Sequence, residues 1–519
     1  MRAELLQRIG SRSSGGAESN PWISSLAYDS RQVAPGSLFF ALPGLHADGH
    51  DFIPDALRRG AAAIIHQKEI PPVFPGNPPF IRVADSRFAM SPVADAFYQS
   101  PSNKLRVLGV TGTEGKSTTV YLIHQLLLLA GKKAGFLSTV QASDGETVQW
   151  NREHQTTPEA PAIHRLLHDM VGNGAEFAVL EASSHGLSPR TNRLGDVAFD
   201  CGVLTNVNHE HLEFHGTWEQ YRSDKANLFR ALGKTAKPLS GGSSSAAFGV
   251  VNGDDPSAAY FMQQTGCPVY RFSTHGAEAD LSIKSMEAAR DGNSYQLWDS
   301  IEGESLAVQD FLPGSFNGGN LLAALLVLSH CLGVPVRDLI PYVPLLKPVK
   351  GRMSPVQRGQ PFEALVDYAH TPASFALLLP PLKERVSRQG GRLLCLFGSA
   401  GDRDRAKRAE QGRIAARSAD IIILSDEDPR GEEPMDILEE IAQGVREENP
   451  EMAEGSTLFL LPNRKEAIRQ ALALAQPGDL ALFLGKGHEN SIIYRNHAMP
   501  FDEIGEVEQA LAELGYAGG

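Results

Sequence analysis

Two hydrophobic patterns alternate along this chain. One is the short continuous apolar run of strand length; the other is the longer stretch with apolar residues three and four apart. In the first block, residues 1–102, SLFFAL and AAAIIH read as strands and FIPDALRRG as a helix between them. The turn cluster in YQSPSNKLRV closes that block. The second block, 103–346, opens with LRVLGV, then a Gly-rich turn, then a helix marked by Leu122, Ile123, Leu126 and Leu127. EFAVLEA and CGVLTNV are further strands, each ending in polar residues, as an open parallel sheet with its chemistry at the strand ends requires. LSGGSSSAAFG reads as a flexible surface loop. The third block, 347–519, runs RLLCLFG, RDRAKRAEQGRIAARSA, DIIILS, MDILEEIAQGVREE, TLFLLP, a helix over 465–475 and DLALFLG. The expected fold is α/β in three domains. These are a small α/β N-terminal domain, a central P-loop-type, mostly parallel sheet with helices, and a C-terminal Rossmann-like domain.

Composition narrows the class. A chain of 519 residues is too long for one core. Its net charge of −13 argues against a non-specific nucleic-acid binder, although a local basic pocket for an anionic small molecule is compatible with it. Cys201, Cys267, Cys331 and Cys395 are scattered with no CxxC, which points to reduced thiols in a cytoplasmic protein. MRAELLQRIG has no apolar core of signal-peptide length. YLIHQLLLLA and LLAALLVLSHCL are too short to span a membrane, so they read as buried helices and no membrane insertion is expected.

The candidate chemistry begins at VTGTEGKSTTV, between a strand and a helix. A strict G-x-x-x-x-G-K-[ST] motif fails, because Val110 stands where its first glycine belongs. The physics of an anion cradle survives. Gly112 and Gly115 permit tight turns, the loop N–H groups and helix start favour an anion, Lys116 can neutralise a terminal phosphate, and the Ser117 hydroxyl can bind Mg²⁺. Thr113, Glu114 and Thr118 complete the candidate phosphate loop. Glu114 is the odd member, an acid in an anion site. It is tolerable if its side chain turns outward or meets a cation such as Arg352 or a metal-bound water.

Glu181, in LEASSHGL, and His211, in TNVNHEHLEFHG, end two further strands. Mg²⁺ takes oxygen ligands plus substrate phosphates, and Glu181 suits that. The grouping of His209, His211 and His215 also suggests zinc, but no cysteine accompanies it and the spacing is not that of a helical pair, so Mg²⁺ is favoured. Read alone, Lys225 in EQYRSDKANLF is a helix-surface lysine.

These segments resemble the Mur ligases, ATP-dependent amide-forming enzymes of peptidoglycan synthesis, nearly end to end. TGTEGKST is similar to that family's TGTNGKTT loop, and LEASSHGL, TNVNHEHLEFHG and YRSDKANLF also match closely. YDSRQVAPGSLFFALPGLHADGHDF, VDYAHTPASF, FGSAGDRDRAKR, GKGHEN and DEDPR resemble the members that add the third residue to UDP-N-acetylmuramoyl-L-Ala-D-Glu. DEDPR stands for a motif usually written DNPR. The resemblance implies that carbon dioxide carbamylates Lys225, making it a metal ligand with Ser117, Glu181 and His211. Ser30 and the turn Leu45, His46, Ala47 would hold the uridine nucleotide. Thr156, Thr157, Ser183 and Arg193, or Arg190 in its stead, would position the muramoyl dipeptide. Asn317, Arg352 and Asp367 would join the loop in binding ATP. Arg408, Asp428, Pro429, Arg430, Gly485 and Glu489 would receive the incoming amino acid.

The implied reaction phosphorylates a carboxylate and lets an amine displace the phosphate, with Lys116, Glu181, His211 and Lys225 as its machinery. Arg430 and Arg408 favour meso-2,6-diaminopimelate, which carries a distal carboxylate. Asp428 in place of Asn, with Glu427 beside it, attracts an ammonium and leaves ornithine and lysine open. A monomer is expected. A relative of different substrate is the alternative within the family; a nucleotide-binding regulator without catalysis is the alternative outside it, and the presence of Lys116, Glu181 and Lys225 argues against that one.

Overall fold

A computed structural model describes residues 12–14, 21–44, 47–69, 78–151, 155–208, 212–234, 237, 246–289, 292–312, 314 and 317–516. The chain packs as two compact units. The first takes in Met1–Met286, Tyr295–Val308 and Gly318–Pro344; the second takes in Glu287–Ser294, Gln309–Asn317 and Leu345–Gly519. The position 102/103, expected as a domain boundary, lies inside the first unit and between two separate sheets. The turn cluster there is not an exposed linker. Pro101 and Ser102 are buried, Ser100 Oγ donates to Asp95 Oδ2 at 2.8 Å, and Ser102 Oγ accepts from Ala198 N at 3.2 Å.

The first sheet has five strands, β1 (Arg12–Ser14), β2 (Ser25–Ala27), β3 (Ser37–Phe40), β4 (Ala63–His66) and β5 (Phe80–Arg82), in the order β1-β5-β4-β3-β2. All neighbours are parallel except β1 and β5. The second sheet is built around β6 (Arg106–Thr111), β7 (Ala134–Leu137), β8 (Gln141–Ser143), β9 (Val148–Trp150), β10 (Phe177–Glu181), β11 (Cys201–Leu204), β12 (Phe248–Asn252) and β13 (Val269–Ser273). Its order is β13-β12-β11-β6-β10-β7-β8-β9, and β14 (Leu281–Ala289), β15 (Gly292–Asp299) and β16 (Glu304–Asp310) continue it beyond β13. Strands β6, β7, β10, β11, β12 and β13 are parallel, and helices cover the buried strands, which is why these strands are continuously apolar. The sheet runs further than strand–helix alternation predicts, because β15 alternates buried and exposed side chains instead.

One contact in this sheet fixes later chemistry. A Cβ on Gly109, in the middle of β6, would lie 2.6 Å from Leu228 Cδ1 and 2.8 Å from Phe199 Cε1. The missing side chain lets the helix Trp218–Ala231 press against β6. Among the described residues no single helix is long and apolar enough to cross a membrane.

The third sheet lies in the second unit: β17 (Ser354–Pro355), β18 (Glu363–Asp367), β19 (Leu393–Phe397), β20 (Ile421–Leu424), β21 (Leu458–Leu460) and β22 (Leu480–Leu484), ordered β17-β18-β22-β19-β20-β21. The strands from β18 to β21 are parallel, as the apolar runs predict. A small hairpin of β23 (Ser491–Ile493) and β24 (Ala498–Pro500) follows. The helices Ala406–Ser418 and Pro434–Glu448 cross at two glycines: a Cβ on Gly412 would fall 2.2 Å from Ile441 O, and one on Gly444 1.9 Å from Ala409 O. The helix Pro372–Arg388 is one that periodicity does not give, since Pro380 and Pro381 sit inside it; a capping box between Thr371 and Ser374 starts it.

Arg464 joins the last elements of this unit. Its guanidinium and the Glu503 carboxylate are both fully buried, 2.8 Å apart, and it also donates to Asp426 O at 2.9 Å and Leu484 O at 2.6 Å. Arg464→Leu leaves Glu503 charged and alone in the interior and is expected to cost about 3–5 kcal/mol in urea denaturation. Adding Glu503→Leu should recover part of that loss; a single-variant loss under about 1 kcal/mol would contradict the account.

Candidate active site

In the first unit the candidate residues of the loop, Glu181 and Lys225 gather where β6 lies between β10 and β11, the point at which strand order changes direction. The loop leaving β6 enters the helix Lys116–Leu129 through Gly112 at φ 153° and Gly115 at φ 81°. A Cβ on Gly112 would fall 1.9 Å from Thr205 Oγ1, and one on Gly115 2.4 Å from Asn320 Oδ1, so neither position admits a side chain. The helix start that follows is an anion site in kind. Lys116 Nζ donates back to Thr113 O at 2.7 Å, which keeps its charge over the loop.

Two residues just past β11 hold the loop, and sequence reasoning missed both. Asn206 Oδ1 accepts from Glu114 N at 2.9 Å, its Nδ2 donates to Glu114 O at 3.2 Å, and Thr205 Oγ1 donates to the same oxygen at 2.5 Å. Thr113 N donates to Asn206 O at 2.9 Å, and Thr113 Oγ1 accepts from Asn208 N at 2.9 Å. Glu114 is therefore positioned by its backbone, whatever its carboxylate meets. The available signal was the polar TNVN run directly after an apolar strand.

Glu181, at the end of β10, is 1% exposed. Its Oε2 accepts from Ser117 Oγ at 2.9 Å and Thr139 N at 2.8 Å, and its Oε1 accepts from Thr139 Oγ1 at 3.0 Å. The network runs on without a break. Thr139 Oγ1 lies 3.1 Å from Thr156 Oγ1, Thr157 Oγ1 donates to Glu181 O at 3.0 Å and accepts from Ser183 N at 3.0 Å, and Ser183 Oγ caps the next helix by accepting from Gly186 N. Phosphate loop, Glu181, Thr156, Thr157 and Ser183 thus form one connected group.

Read alone, Lys225 was a surface lysine; the fold corrects this, for it is 1% exposed. Its Nζ donates to Gly112 O at 2.5 Å and sits 4.4 Å from the centre of the Tyr221 ring. The close approach of its helix to Gly109 makes that reach possible. His215 is buried, with Nδ1 2.7 Å from Asp224 Oδ2 and Nε2 3.0 Å from Ser184 Oγ, so it packs this region together. His209 and His211 lie outside the described residues, as do Leu45 and His46 of the expected uridine turn. Among the described residues no group of three or more His, Cys, Asp or Glu is arranged to hold a metal by itself.

Of the competing arginines, Arg193 donates to Thr157 O at 2.7 Å and pairs with Glu159 at 3.0 Å, whereas Arg190 donates to Phe214 O at 2.8 Å. Arg193 is thus the one joined to the connected group. Ser30 opens a short helical turn in the first sheet's layer and is buried, and Ala47 follows the undescribed pair.

In the second unit the expected amino-acid residues converge at the C-terminal ends of β19, β20 and β22. Gly401 has no room for a side chain, since a Cβ would fall 1.9 Å from Pro429 O, and its N–H donates to Asp428 O at 2.8 Å. The glycine-rich loop after β19 therefore fixes the backbone of Asp428 and Pro429. Arg430 takes a left-handed φ of 53°, held by its N–H to Ile493 O at 2.9 Å, a strained conformation for a non-glycine residue.

Asp428 Oδ1 accepts from Lys486 Nζ at 2.8 Å and Ile493 N at 2.9 Å. Lys486 is fully buried and also pairs with Glu489; burial works against its charge, but Glu489 and Asp428 outweigh that and hold its pKa above the ordinary value. Burial pushes Glu489 up, against the pull of Lys486. Burial likewise raises Asp426 to about 6, against a hydrogen bond from Tyr494. Gly485, at φ 98°, would place a Cβ 2.9 Å from Glu427 Oε2. Arg408 is spent internally: fully buried, it binds Glu432 at 2.9 Å and Glu440 at 2.7 Å, and it drives Glu432 down to about 2.

The residues expected at ATP besides the loop, Asn317, Arg352 and Asp367, also belong to the second unit. Asp367 accepts from Met353 N and Ala369 N, both at 2.7 Å, and Arg352 lies 4.7 Å from the centre of the Tyr368 ring.

Known proteins are similar to this chain along most of its length. Residues 23–99 match the "Mur ligase family, catalytic domain", 110–328 the "Mur ligase middle domain", and 351–487 the "Mur ligase, glutamate ligase domain". A UDP-N-acetylmuramyl-tripeptide synthetase of Treponema denticola is 48% identical over 499 residues, covering 93% of this chain and 92% of that protein. A UDP-N-acetylmuramoyl-L-alanyl-D-glutamate--2,6-diaminopimelate ligase of Geobacillus kaustophilus is 37% identical over 501 residues, covering 96% of each. A solved structure of a diaminopimelate ligase of the same description aligns with a TM-score of 0.62 at 29% identity, over 95% of both chains. With three family models matched in order and relatives aligned along almost its whole length, the chain belongs to the Mur ligase family.

Proposed function

We propose that this chain is an ATP-dependent amide ligase that adds a diamino acid, meso-2,6-diaminopimelate first among them, to UDP-N-acetylmuramoyl-L-alanyl-D-glutamate, forming ADP and phosphate. The observation that carries the reading is the unbroken hydrogen-bonded group from Ser117 through Glu181 and Thr139 to Thr156, Thr157 and Ser183. A phosphate loop and a polar substrate shelf are wired to one buried carboxylate. That is the arrangement needed to bring a nucleotide phosphate to a second anion.

A carboxylate and an ammonium do not condense in water at neutral pH, so the acid must first become an acyl phosphate. Lys116 and the loop N–H groups stabilise the transferring phosphoryl charge. Thr156, Thr157, Ser183 and Arg193 hold the D-glutamyl end, while Ser30 and the turn Leu45, His46, Ala47 hold the uridine nucleotide. Asn317, Arg352 and Asp367 complete the ATP contacts. Arg408, through Glu432, supports the loop that carries Asp428, Pro429 and Arg430, and these receive the amino acid with Gly485 and Glu489.

The donors present fit Mg²⁺. The Ser117 hydroxyl and the Glu181 carboxylate are hard oxygen ligands side by side, and this ion takes few protein ligands beside phosphate and water. When bound, it would offset the repulsion between the two anions. His211 and a carbamylated Lys225 would be further ligands. A carbamate on Lys225 would keep one N–H able to donate to Gly112 O. A cytoplasmic monomer completes the reading, in keeping with the free buried thiols of Cys201, Cys331 and Cys395.

The test is ATP-dependent amide formation on UDP-N-acetylmuramoyl-L-Ala-D-Glu with a panel of diamino acids. ATP turnover should require the muramoyl substrate; phosphate release without amide for every amine would overturn the reading. Lys225→Ala should lower kcat by about 100-fold or more, with partial recovery on adding short carboxylates. Full activity in that variant would remove the carbamate. Asn206→Ala, which frees the Glu114 backbone, should raise the KM for ATP about tenfold while leaving the KM for the muramoyl substrate within about twofold. Equal changes in both would show that Asn206 does not act through the phosphate loop.

A further inference from the structure

Glu159 joins two arginines that come from different layers of the first unit. Its Oε1 accepts from Arg87 Nη1 at 2.7 Å and from Arg193 Nη2 at 3.0 Å. Arg193 also donates to Thr157 O at 2.7 Å, which attaches it to the hydrogen-bonded group around Glu181. Arg87 belongs to the layer of the first sheet. Its N–H donates to Asp85 Oδ1 at 2.8 Å. The preceding residue, Ser86, donates from Oγ to Ala41 O at 2.8 Å and from N to Gln67 Oε1 at 2.9 Å, just past the ends of β3 and β4.

Helix capping does not account for an acid at this position. Glu159 immediately precedes the helix Ala160–Gly172, yet its side chain makes no capping hydrogen bond. The next residue, Ala160, is packed into the core of the first sheet with Leu38, Phe40, Met90 and Val93. Glu159 is 9% exposed, and among the described residues its Oε2 has no hydrogen-bond partner. A carboxylate buried at that cost is held by the two guanidinium groups and holds them in turn. A second link runs beside the first. Asn192, at a left-handed φ of 49°, donates from Nδ2 to Phe88 O at 3.0 Å. The consecutive residues Asn192 and Arg193 are thus tied by separate routes to the consecutive residues Arg87 and Phe88.

From this, and resting on the ligase reading above, we propose that Glu159 is a positioning residue for the muramoyl substrate. It holds Arg193 at the dipeptide end of the site and, through Arg87, fixes that arginine relative to the layer that carries Ser30. The nucleotide end and the carboxylate end of one extended substrate are then read at a set separation. Two guanidinium groups converging on one oxygen repel each other, and the single negative charge between them keeps both in place. Two positive charges against one negative also leave a net positive charge, which a substrate carboxylate can meet. A neutral glutamine at this position removes the charge that joins the arginines and releases Arg193, while altering no residue of the phosphate loop.

The experiment measures steady-state kinetics of Glu159→Gln in the wild-type and Arg193→Ala backgrounds. In the wild-type background the KM for UDP-N-acetylmuramoyl-L-Ala-D-Glu should rise about tenfold, with kcat and the KM for ATP within about twofold. In the Arg193→Ala background the same change should move that KM by less than about twofold, because Glu159 acts through Arg193. If Glu159→Gln fails to fold, Arg87→Ala, at a partly exposed site, carries the expectation in both backgrounds, with a rise of about threefold or more where Arg193 is present. A folded Glu159→Gln whose KM for the muramoyl substrate stays within about twofold of wild type overturns the proposal and leaves the ligase reading intact. A rise as large without Arg193 as with it overturns it too, since Glu159 would then act on the substrate or the fold by another route. A wild-type protein that forms no amide with any diamino acid overturns the ligase reading itself. Calorimetric binding of the UDP-muramoyl dipeptide to the same variants then decides the role of Glu159, and a wild-type protein that does not bind it overturns both.

Discussion

A carboxylate with almost no access to water, Glu181, organises the first unit. Burying a charge is tolerable only when donors surround it, and Glu181 meets that condition through Ser117 and Thr139. Each donor belongs to a different functional segment: Ser117 to the phosphate loop, Thr139 to the turn that contacts Thr156. The cost of burying this acid is thus what ties the nucleotide end of the site to the substrate end. The parallel sheet makes it possible, because β6 and β10 are neighbours in register and deliver both segments to one edge.

The second unit uses the same physics with the signs less balanced. Its loops also leave the ends of parallel strands, and glycines again set the spacing, Gly401 against Pro429 and Gly485 against Glu427. Here, however, carboxylates outnumber the cations that hold them. Lys486 bridges Asp428 and Glu489, Arg430 lies beside the same Asp428, and Glu427 and Asp426 each keep an oxygen without a donor.

Much of this fold was legible in the pattern of apolar runs. The strand runs LRVLGV, RLLCLFG, DIIILS and DLALFLG became β6, β19, β20 and β22, since a strand buried on both faces has no alternative to being apolar throughout. The helix with Pro380 and Pro381 escaped notice because its local signal contradicts its tertiary state. The β14–β16 extension escaped because half-exposed strands interrupt the strand–helix rhythm. The tight turn at Gly112 and Gly115 and the helix starting at Lys116 were readable from their local spacing. Asn206 and Thr205 were not, because they act on a loop about ninety residues earlier in the chain.

The sequence by itself determined the buried parallel strands, the glycine-bearing turn after β6 and the family the motifs resemble, for these depend on periodicity and on local order. Only the tertiary structure decided what each charged side chain faces. It buried Lys225 against Gly112, enclosed Arg408 between two glutamates and set Asp428 beside Arg430. The reason is that the energy of a charge depends on the groups and water within a few ångströms of it. Those neighbours come from strands and loops far apart in the chain.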